Sequence, residues 1–198
     1  MAAAVPFVGL TGGLGSGKST ALAALARLGA ATISSDAVVH ELYEGDELRD
    51  AVVERFGEDV APGGSVDRSV LARRAFATAE DRAWLEQLLW PRVGARVAEW
   101  LAAARAQEPA PRAAVVEVPL LFEAGMEPIY DATIAVLADE EVRAGRAAAR
   151  GHAVVDERAA RQLSQDEKAA RATFVVRNDG SEEDLERELS AVLAKLAG

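Results

Sequence analysis

Residues 12–20 read Gly-Gly-Leu-Gly-Ser-Gly-Lys-Ser-Thr. The stretch matches G-x-x-x-x-G-K-[ST], the pattern of a loop that wraps the phosphates of a nucleoside triphosphate. Its four glycines let consecutive backbone N–H groups point inward without a Cβ clash, and the following helix turns its positive end toward the same anions. Lys18 adds a cation for the β- and γ-phosphates, and the Ser19 hydroxyl is a ligand for Mg²⁺. We therefore predict nucleotide contacts at Gly13, Leu14, Gly15, Ser16, Gly17, Lys18, Ser19 and Thr20.

The sequence on both sides of this loop predicts an α/β fold. An apolar run at residues 5–10 indicates a buried strand before the loop, and residues 19–28 carry leucines at helical spacing after it. Further apolar runs predict strands at 30–33, 113–118, 132–137 and 173–176, of which 113–118 is expected to be central. We predict a P-loop NTPase-type parallel sheet with helices on both faces.

A long stretch without strand patterns separates the second and third predicted strands. Four segments have helical spacing there, and they are Glu47–Phe56, Arg68–Phe76, Glu80–Leu89 and Pro91–Gln107. We predict a helical insertion at 37–109 that binds a second substrate, with a purely structural cap as the alternative. The nucleotide-binding core is then formed by 1–36, 110–142 and 170–198, and residues 143–169 form a small helical lid.

Composition limits the partners and the location. The net charge of −10 argues against a nucleic-acid partner, and the absence of cysteine excludes disulfides and thiolate chemistry. No apolar run reaches the roughly 18 residues of a membrane span, and residues 1–4 lack the features of a signal peptide. We expect a cytoplasmic protein without a membrane partner, present as a monomer or small homo-oligomer.

Three carboxylates follow predicted strands, where the ligands of parallel sheets gather. Asp36 comes after the second strand, so it is a candidate reacting group, and the alternative is an N-cap of the helix that begins at Ala37. Glu117 lies near the end of the strand predicted at 113–118, where an acid can hold Mg²⁺ through water, and Glu123 is the second candidate for that role. Either glutamate has a surface or capping role as its alternative.

The helix predicted at 140–150 carries Arg146 and Arg150 on one face, from which both can reach a transferring phosphate. A solvated basic face is the alternative, because arginine supplies 19 of the 22 basic residues of the chain. The last predicted strand ends in a loop at 177–180, and Ser181 with Asp184 forms a capping-box variant that opens the final helix.

The order of these parts separates classes of nucleotide-binding protein. A GTPase needs N-K-x-D, but the only asparagine is Asn178, which Asp179 follows. A motor or transporter ATPase needs a longer chain or a signature loop. An acceptor-binding insertion, an arginine-bearing lid and a loop after the last strand are typical of a small-molecule kinase of the nucleoside monophosphate kinase type.

The sequence resembles the dephospho-CoA kinase family nearly from end to end. The segments that carry the resemblance are residues 9–19, Val66-Asp67-Arg68 with Leu71 and Phe76, Pro119-Leu120-Leu121-Phe122-Glu123, Arg146 with Arg150, the spacing Arg158, Gln162, Lys168, the strand 174–176, and Asn178-x-Gly180. The resemblance implies phosphorylation of the ribose 3′-hydroxyl of dephospho-CoA by ATP with Mg²⁺, the last step of coenzyme A synthesis. A related kinase with another acceptor and an inactive nucleotide-binding regulatory paralogue are the alternatives.

The resemblance also implies roles for single residues. Asp36 is the catalytic base, and the charge of the transferring group is stabilised by Lys18, Arg146 and Arg150. The adenine site is lined by Asn178 and Gly180, and the acceptor site by Asp36, His40, Leu120, Leu121 and Glu123. For His40, the alternative is an ordinary surface histidine.

The chain departs from the family pattern at two places. The family usually has Asp-Ala-Asp after the second strand, where this chain has Ser34-Ser35-Asp36. The family usually has His-Pro where this chain has Trp90-Pro91. The second aspartate is retained, so activity is still expected.

Overall fold

The computed structural model describes residues 4–149 and 162–197, with five strands that form one parallel sheet. The strands are β1 (Phe7–Gly12), β2 (Ala31–Ser34), β3 (Ala114–Glu117), β4 (Ala132–Leu137) and β5 (Phe174–Arg177). Their order is β2-β3-β1-β4-β5, and every neighbouring pair is parallel. The predicted fold class is therefore confirmed.

Strand burial explains the continuous apolar runs in the sequence. All residues of β1, β3 and β4 are buried, as expected for strands covered on both faces. The central position belongs to β1, whereas β3 lies between β2 and β1. The expectation that 113–118 is central is thus wrong by one strand, because burial on both faces is common to every interior strand and does not fix their order.

Eight α-helices occur in the described ranges. They are α1 (Lys18–Arg27), α2 (Ser35–Tyr43), α3 (Asp46–Phe56), α4 (Arg68–Ala75), α5 (Ala79–Arg105), α6 (Glu140–Ala149), α7 (Gln165–Arg171) and α8 (Glu182–Leu196). Arg150 and Arg158, both singled out in the sequence, lie outside the described residues.

The two faces of the sheet are covered by different parts of the chain. On one face, α1 and α8 pack on a core that includes Val8, Leu10, Leu25, Ile134 and Leu189. The opposite face is that of Gly9 and Thr11, which alternate along β1 with the core residues Val8 and Leu10. Leu121, from the segment after β3, lies against Gly9, and Lys168 of helix α7 reaches Thr11. Helix α7 also packs against β4. Helices on both faces agree with the prediction.

The start of α8 follows directly from the sequence. The Ser181 side chain accepts a hydrogen bond from the Asp184 N–H, and the Asp184 side chain accepts one from the Ser181 N–H. These two bonds form the capping box that the sequence predicts. The helix then buries Leu185, Leu189 and Val192 against the sheet, as its apolar stripe requires.

The prediction that a new helix begins at Pro91 is wrong. Helix α5 runs without interruption through Pro91, which lies in its interior. A proline there removes one helical hydrogen bond and normally kinks or ends the helix. Next to the proline, the Arg92 guanidinium donates to the Leu88 carbonyl oxygen at 2.8 Å, which supplies that carbonyl with a side-chain donor. Trp90 is 61% exposed.

The chain divides into two compact units, one of Met1–Ser34 with Leu101–Gly198 and one of Ser35–Trp100. The first unit holds the sheet. The second is helical and has its own core around Val52, Leu71 and Leu85, with Phe56 packed edge-on against Trp84 at 5.5 Å between ring centroids. Whether residues 37–109 and 143–169 act as acceptor domain and lid stays a prediction.

Candidate functional site

The glycine-rich stretch forms the connection between β1 and α1. Gly15 and Gly17 have φ values of +75° and +88°, which side chains other than glycine rarely adopt. The loop is closed by a hydrogen bond from Ser16 N to Gly13 O at 3.2 Å, and α1 begins with Ala21 N donating to Gly17 O at 2.9 Å. The sequence therefore folds locally into the turn that a phosphate cradle needs.

The N-terminus of α1 fits an anionic group. Gly17 is the N-cap and offers no side-chain cap, and no acidic residue stands in the first turn of this helix. The first N–H groups of a helix have no partner within it, and the helix dipole adds partial positive charge. The Ser16 hydroxyl is buried and has no hydrogen-bond partner within the described residues. A phosphate group bound here would be surrounded by donors.

Lys18 lies over this loop, because its Nζ donates to the carbonyl oxygen of Gly13 at 3.1 Å. Ser19 is exposed and Thr20 half-buried in the first turn of α1. The predicted nucleotide-contacting residues 13–20 are thus contiguous in space, with cation, hydroxyl and backbone donors on one loop.

Two side chains from distant parts of the chain hold the Leu14 peptide. Arg143 of α6 donates through Nε to Leu14 O at 2.9 Å, and Leu14 N donates to Oε1 of Gln162 at 3.2 Å. A cavity of about 300 Å³ lies beside this contact, and it is lined by Gly13, Leu14, Glu140, Arg143, Ala144 and residues 162–165. The predicted site did not include either side chain. Arginine is so abundant in this sequence that Arg143 does not stand out, and a single glutamine matches no functional motif.

Asn178 braces the same loop from the end of β5. Its side-chain Nδ2 donates to Ser16 O at 2.9 Å, and its backbone N donates to Leu137 O at 2.8 Å. The Asn178 carbonyl oxygen accepts a hydrogen bond from Nη1 of Arg146 at 3.0 Å. Asn178 is 4% exposed, whereas Gly180 is exposed. Their predicted place in the adenine site stays a prediction.

Replacing Gly17 with alanine is expected to weaken ATP binding by at least about tenfold, because the loop has no room for a side chain. A Cβ at this position would overlap Nδ2 of Asn178 and would require a strained φ of +88°. Gly94→Ala is the matched control, since nothing lies within 4 Å of a Cβ there. Calorimetric titration with ATP checks both variants, and unchanged affinity in Gly17→Ala would contradict the described loop geometry.

Glu117 lies at the carboxyl edge of the sheet and is 7% exposed. It is in register with Leu10 on one side and with Ser34 on the other. Register partners in parallel strands direct their side chains to the same face, and Leu10 belongs to the core under α1. Glu117 therefore faces the side of the sheet that α1 covers, and Ser19 lies in the first turn of that helix.

The oxygen donors of Ser19 and Glu117 fit a hard cation such as Mg²⁺, which takes few protein ligands and keeps water and phosphate oxygens. No group of three or more histidine, cysteine, aspartate or glutamate side chains that could hold a metal occurs in the ranges 4–149 and 162–197.

The segment after β3 is more deeply buried than an open acceptor site would suggest. Leu121 is fully buried and Leu120 half-buried. Glu123 forms an ion pair with Lys168 at 2.8 Å and also accepts a hydrogen bond from Leu163 N at 2.8 Å. The predicted contacts of these residues with an acceptor stay predictions.

Asp36 and His40 are exposed on α2, in the unit 35–100. Asp36 is the second residue of α2, so the alternative in which it is the N-cap of a helix starting at Ala37 is wrong. A carboxylate in the first turn stabilises a helix through its interaction with the helix dipole, whichever way the side chain points. The spacing of four places His40 one turn further along the same helix.

A parallel sheet whose central strand runs through a glycine-rich loop into an uncapped helix, with a lysine over the loop, defines a P-loop nucleotide-binding protein. In the two described ranges, no helix is both long and apolar enough to cross a membrane. A family model for dephospho-CoA kinase matches residues 6–184. The chain belongs to the dephospho-CoA kinase family.

Individual relatives agree with this assignment. A dephospho-CoA kinase of Deinococcus radiodurans is 40% identical over 192 residues, which cover 96% of this chain and 91% of the relative. Another, from Mycolicibacterium paratuberculosis, is 40% identical over 183 residues, or 90% of this chain, and the match spans 44% of that relative's length. The crystal structure of TT1252 from Thermus thermophilus superposes on this chain with a TM-score of 0.81, and the two sequences are 37% identical. The superposition covers 99% of this chain and 100% of TT1252. A dephospho-CoA kinase from Campylobacter jejuni, 24% identical with a TM-score of 0.64 and 98% coverage of both chains, shares the fold.

Proposed function

We propose that this protein transfers the γ-phosphoryl group of ATP to the ribose 3′-hydroxyl of dephospho-CoA, forming coenzyme A and ADP. The observation that carries the proposal is the family match over residues 6–184. The geometry of the loop at 12–20 supports the nucleotide half of the reaction, because its donors and its lysine are those that phosphoryl transfer requires. The reaction is the last step of coenzyme A synthesis.

The residues of the chain divide the chemistry between two tasks. The Asp36 carboxylate accepts the proton of the 3′-hydroxyl while that oxygen forms a bond to the γ-phosphorus. The bond between the γ-phosphorus and the bridging oxygen breaks, and ADP departs with the electron pair. Lys18 and the loop N–H groups stabilise the charge on the transferring group, together with Arg146 and Arg150.

A bound Mg²⁺ would neutralise part of the negative charge on the nucleotide phosphates. We propose that the Ser19 hydroxyl holds this ion directly and that the Glu117 carboxylate holds it through water. The exposed position of Ser19 at the start of α1 and the burial of Glu117 on the same side of the sheet support this division.

The remaining site residues are proposed to bind the two substrates. Asn178 and Gly180 contribute to the adenine side, where the brace from Asn178 to Ser16 fixes one wall of the nucleotide site. Residues 37–109 receive dephospho-CoA, with His40, Leu120, Leu121 and Glu123 as candidate contacts. Residues 143–169 act as the lid that carries the arginines.

The test is release of ADP from Mg-ATP in the presence of dephospho-CoA, with adenosine, AMP and pantothenate as competing candidate acceptors. Turnover confined to dephospho-CoA is the expected result. Turnover with another of these acceptors would overturn the substrate assignment and leave the nucleotide site intact.

An inactive nucleotide-binding protein is the second candidate. Ser34, which replaces the first aspartate of the family pattern, lies in register with Glu117. If ATP binds and no acceptor is phosphorylated, Ser34→Asp becomes the decisive variant. Recovery of turnover in Ser34→Asp would show that loss of the aspartate at position 34 had abolished the activity.

A further inference from the structure

Lys168 is fully buried, and its ammonium group has a partner for each of its three N–H bonds. Nζ lies 2.8 Å from Oε1 of Glu123, 3.1 Å from Pro119 O and 3.5 Å from Oγ1 of Thr11. Thr11 is the residue before the glycine-rich loop, and its own hydroxyl donates to Pro119 O at 3.2 Å. This cluster therefore joins α7, the segment after β3 and the end of β1.

A buried ion pair of this kind is poorly explained by stability alone. Desolvation of the two charges offsets much of their attraction, so apolar residues of the same volume often stabilise a fold equally well. The contacts made by the second partner indicate another role. Oε1 of Glu123 also accepts the hydrogen bond from Leu163 N at 2.8 Å, so the pair holds the backbone just before α7.

Three residues of the segment 162–165 are held by hydrogen bonds to other parts of the chain. The Gln165 side chain accepts a hydrogen bond from Ala138 N and donates one to Ala138 O, at 2.9 and 2.8 Å. Leu163 N is held by Glu123, and Gln162 presents Oε1 to Leu14 N in the glycine-rich loop. Gln162 is adjacent to Leu163, so its reach to the loop depends on where the Leu163 backbone lies.

We propose that Glu123 and Lys168 are a positioning pair for the phosphate loop. Through Leu163 they fix the backbone from which Gln162 holds the Leu14 peptide, and they thereby set the direction of its N–H and C=O groups. The Leu14 carbonyl is the acceptor of Arg143, so the same peptide also anchors α6 to the loop. The inference concerns the ATP half of the proposed reaction and does not depend on which hydroxyl accepts the phosphate.

The direct test is the hydrogen-exchange rate of the Leu14 amide, measured by NMR in the intact chain. In the double variant Glu123→Met/Lys168→Met both charges are removed, so neither is left buried and unpaired, while Leu163 N loses its acceptor. We expect Leu14 exchange to rise by about tenfold, as in Gln162→Ala, because either change releases the same hydrogen bond. In the triple variant the rate should rise no further, since the pair acts through Gln162.

A matched control lies one helical turn away. Arg171 of α7 pairs with Glu127, again linking α7 to the segment after β3, but neither residue contacts 162–165 among the described hydrogen bonds and ion pairs. The double variant Glu127→Met/Arg171→Met should leave Leu14 exchange within about twofold of wild type. Equal acceleration in both double variants would overturn the proposal, because it would show a general loosening of α7.

Kinetics give a second readout that a merely structural role would not produce. Glu123→Met/Lys168→Met should lower kcat/KM for ATP by about tenfold, with no further loss when Gln162→Ala is added. If circular dichroism shows that this double variant does not fold, Glu123→Gln takes its place. It keeps an oxygen acceptor and loses the charge, so a smaller rise in Leu14 exchange is expected, of about threefold, and none would overturn the proposal.

The failure of this inference and the failure of the proposed function can be told apart. If wild type does not phosphorylate dephospho-CoA, the dissociation constant of ATP from calorimetry replaces the kinetic readout. A weaker ATP affinity in Glu123→Met/Lys168→Met, but not in Glu127→Met/Arg171→Met, supports the positioning pair even then. Unchanged ATP affinity with unchanged Leu14 exchange overturns it, whatever the acceptor.

Discussion

Replacement of Lys18 with alanine is expected to lower kcat by at least about a thousandfold, while the protein remains folded. Lys18 Nζ already lies over the glycine-rich loop through its 3.1 Å contact with Gly13 O. Charge develops on the transferring group in the transition state, and the lost ammonium would have been fixed beside it. Alanine favours the helical conformation at this position, so the fold should not suffer.

The measurement is the turnover number at saturating ATP and acceptor, together with the melting temperature. Lys195→Ala is the control, since Lys195 is exposed near the end of α8 and distant from the loop in the sequence. A Lys18→Ala protein that retains more than about a tenth of wild-type turnover would refute the assigned role. Loss of activity with a large drop in melting temperature would point to a folding defect instead.

Asp36→Asn is the second variant with a large expected effect. We expect kcat to fall by about a hundredfold or more, with KM for ATP nearly unchanged, because asparagine has the same shape and cannot accept the proton of the attacking hydroxyl. The loop at 12–20 is not altered, so ground-state binding of ATP should persist. Steady-state kinetics with ATP and the acceptor varied in turn separates the two constants.

Asp46→Asn is a matched control for this substitution. Asp46 is likewise an acidic residue in the first turn of a helix of the unit 35–100, and its partner is Arg49 on the same helix. Its loss should change turnover by less than about twofold. If Asp36→Asn keeps wild-type kcat, the catalytic base lies elsewhere in the chain.

The sequence predicted the glycine-rich loop, the cap of α8 and the strands, because each of these features depends on residues that are close together in the chain. The glycine-rich loop follows from a spacing that only a phosphate cradle requires, and the capping box of α8 needs only Ser181 and Asp184. Every predicted strand is present to within two residues at each end. For the interior strands β1, β3 and β4 the reason is that a continuous apolar run is required where both faces of a sheet are buried. The family was also visible in the sequence.

Pro91 shows where local reasoning fails. Proline is a common first residue of helices and a poor interior one, and on that basis the sequence favours a break. Helix α5 continues through it nevertheless. Helix propensity is a weak term that tertiary packing can outweigh.

The loop motif, the strands and the family were determined by the sequence alone. The tertiary structure decided which side chains hold that loop in place. Leu14 meets Gln162 and Arg143 across 148 and 129 residues, and Ser16 meets Asn178 across 162. Lys168 likewise reaches Thr11 across 157 residues. No periodicity or spacing encodes such pairs, because they exist only once the order of strands in the sheet has brought the ends of β1, β3 and β4 together.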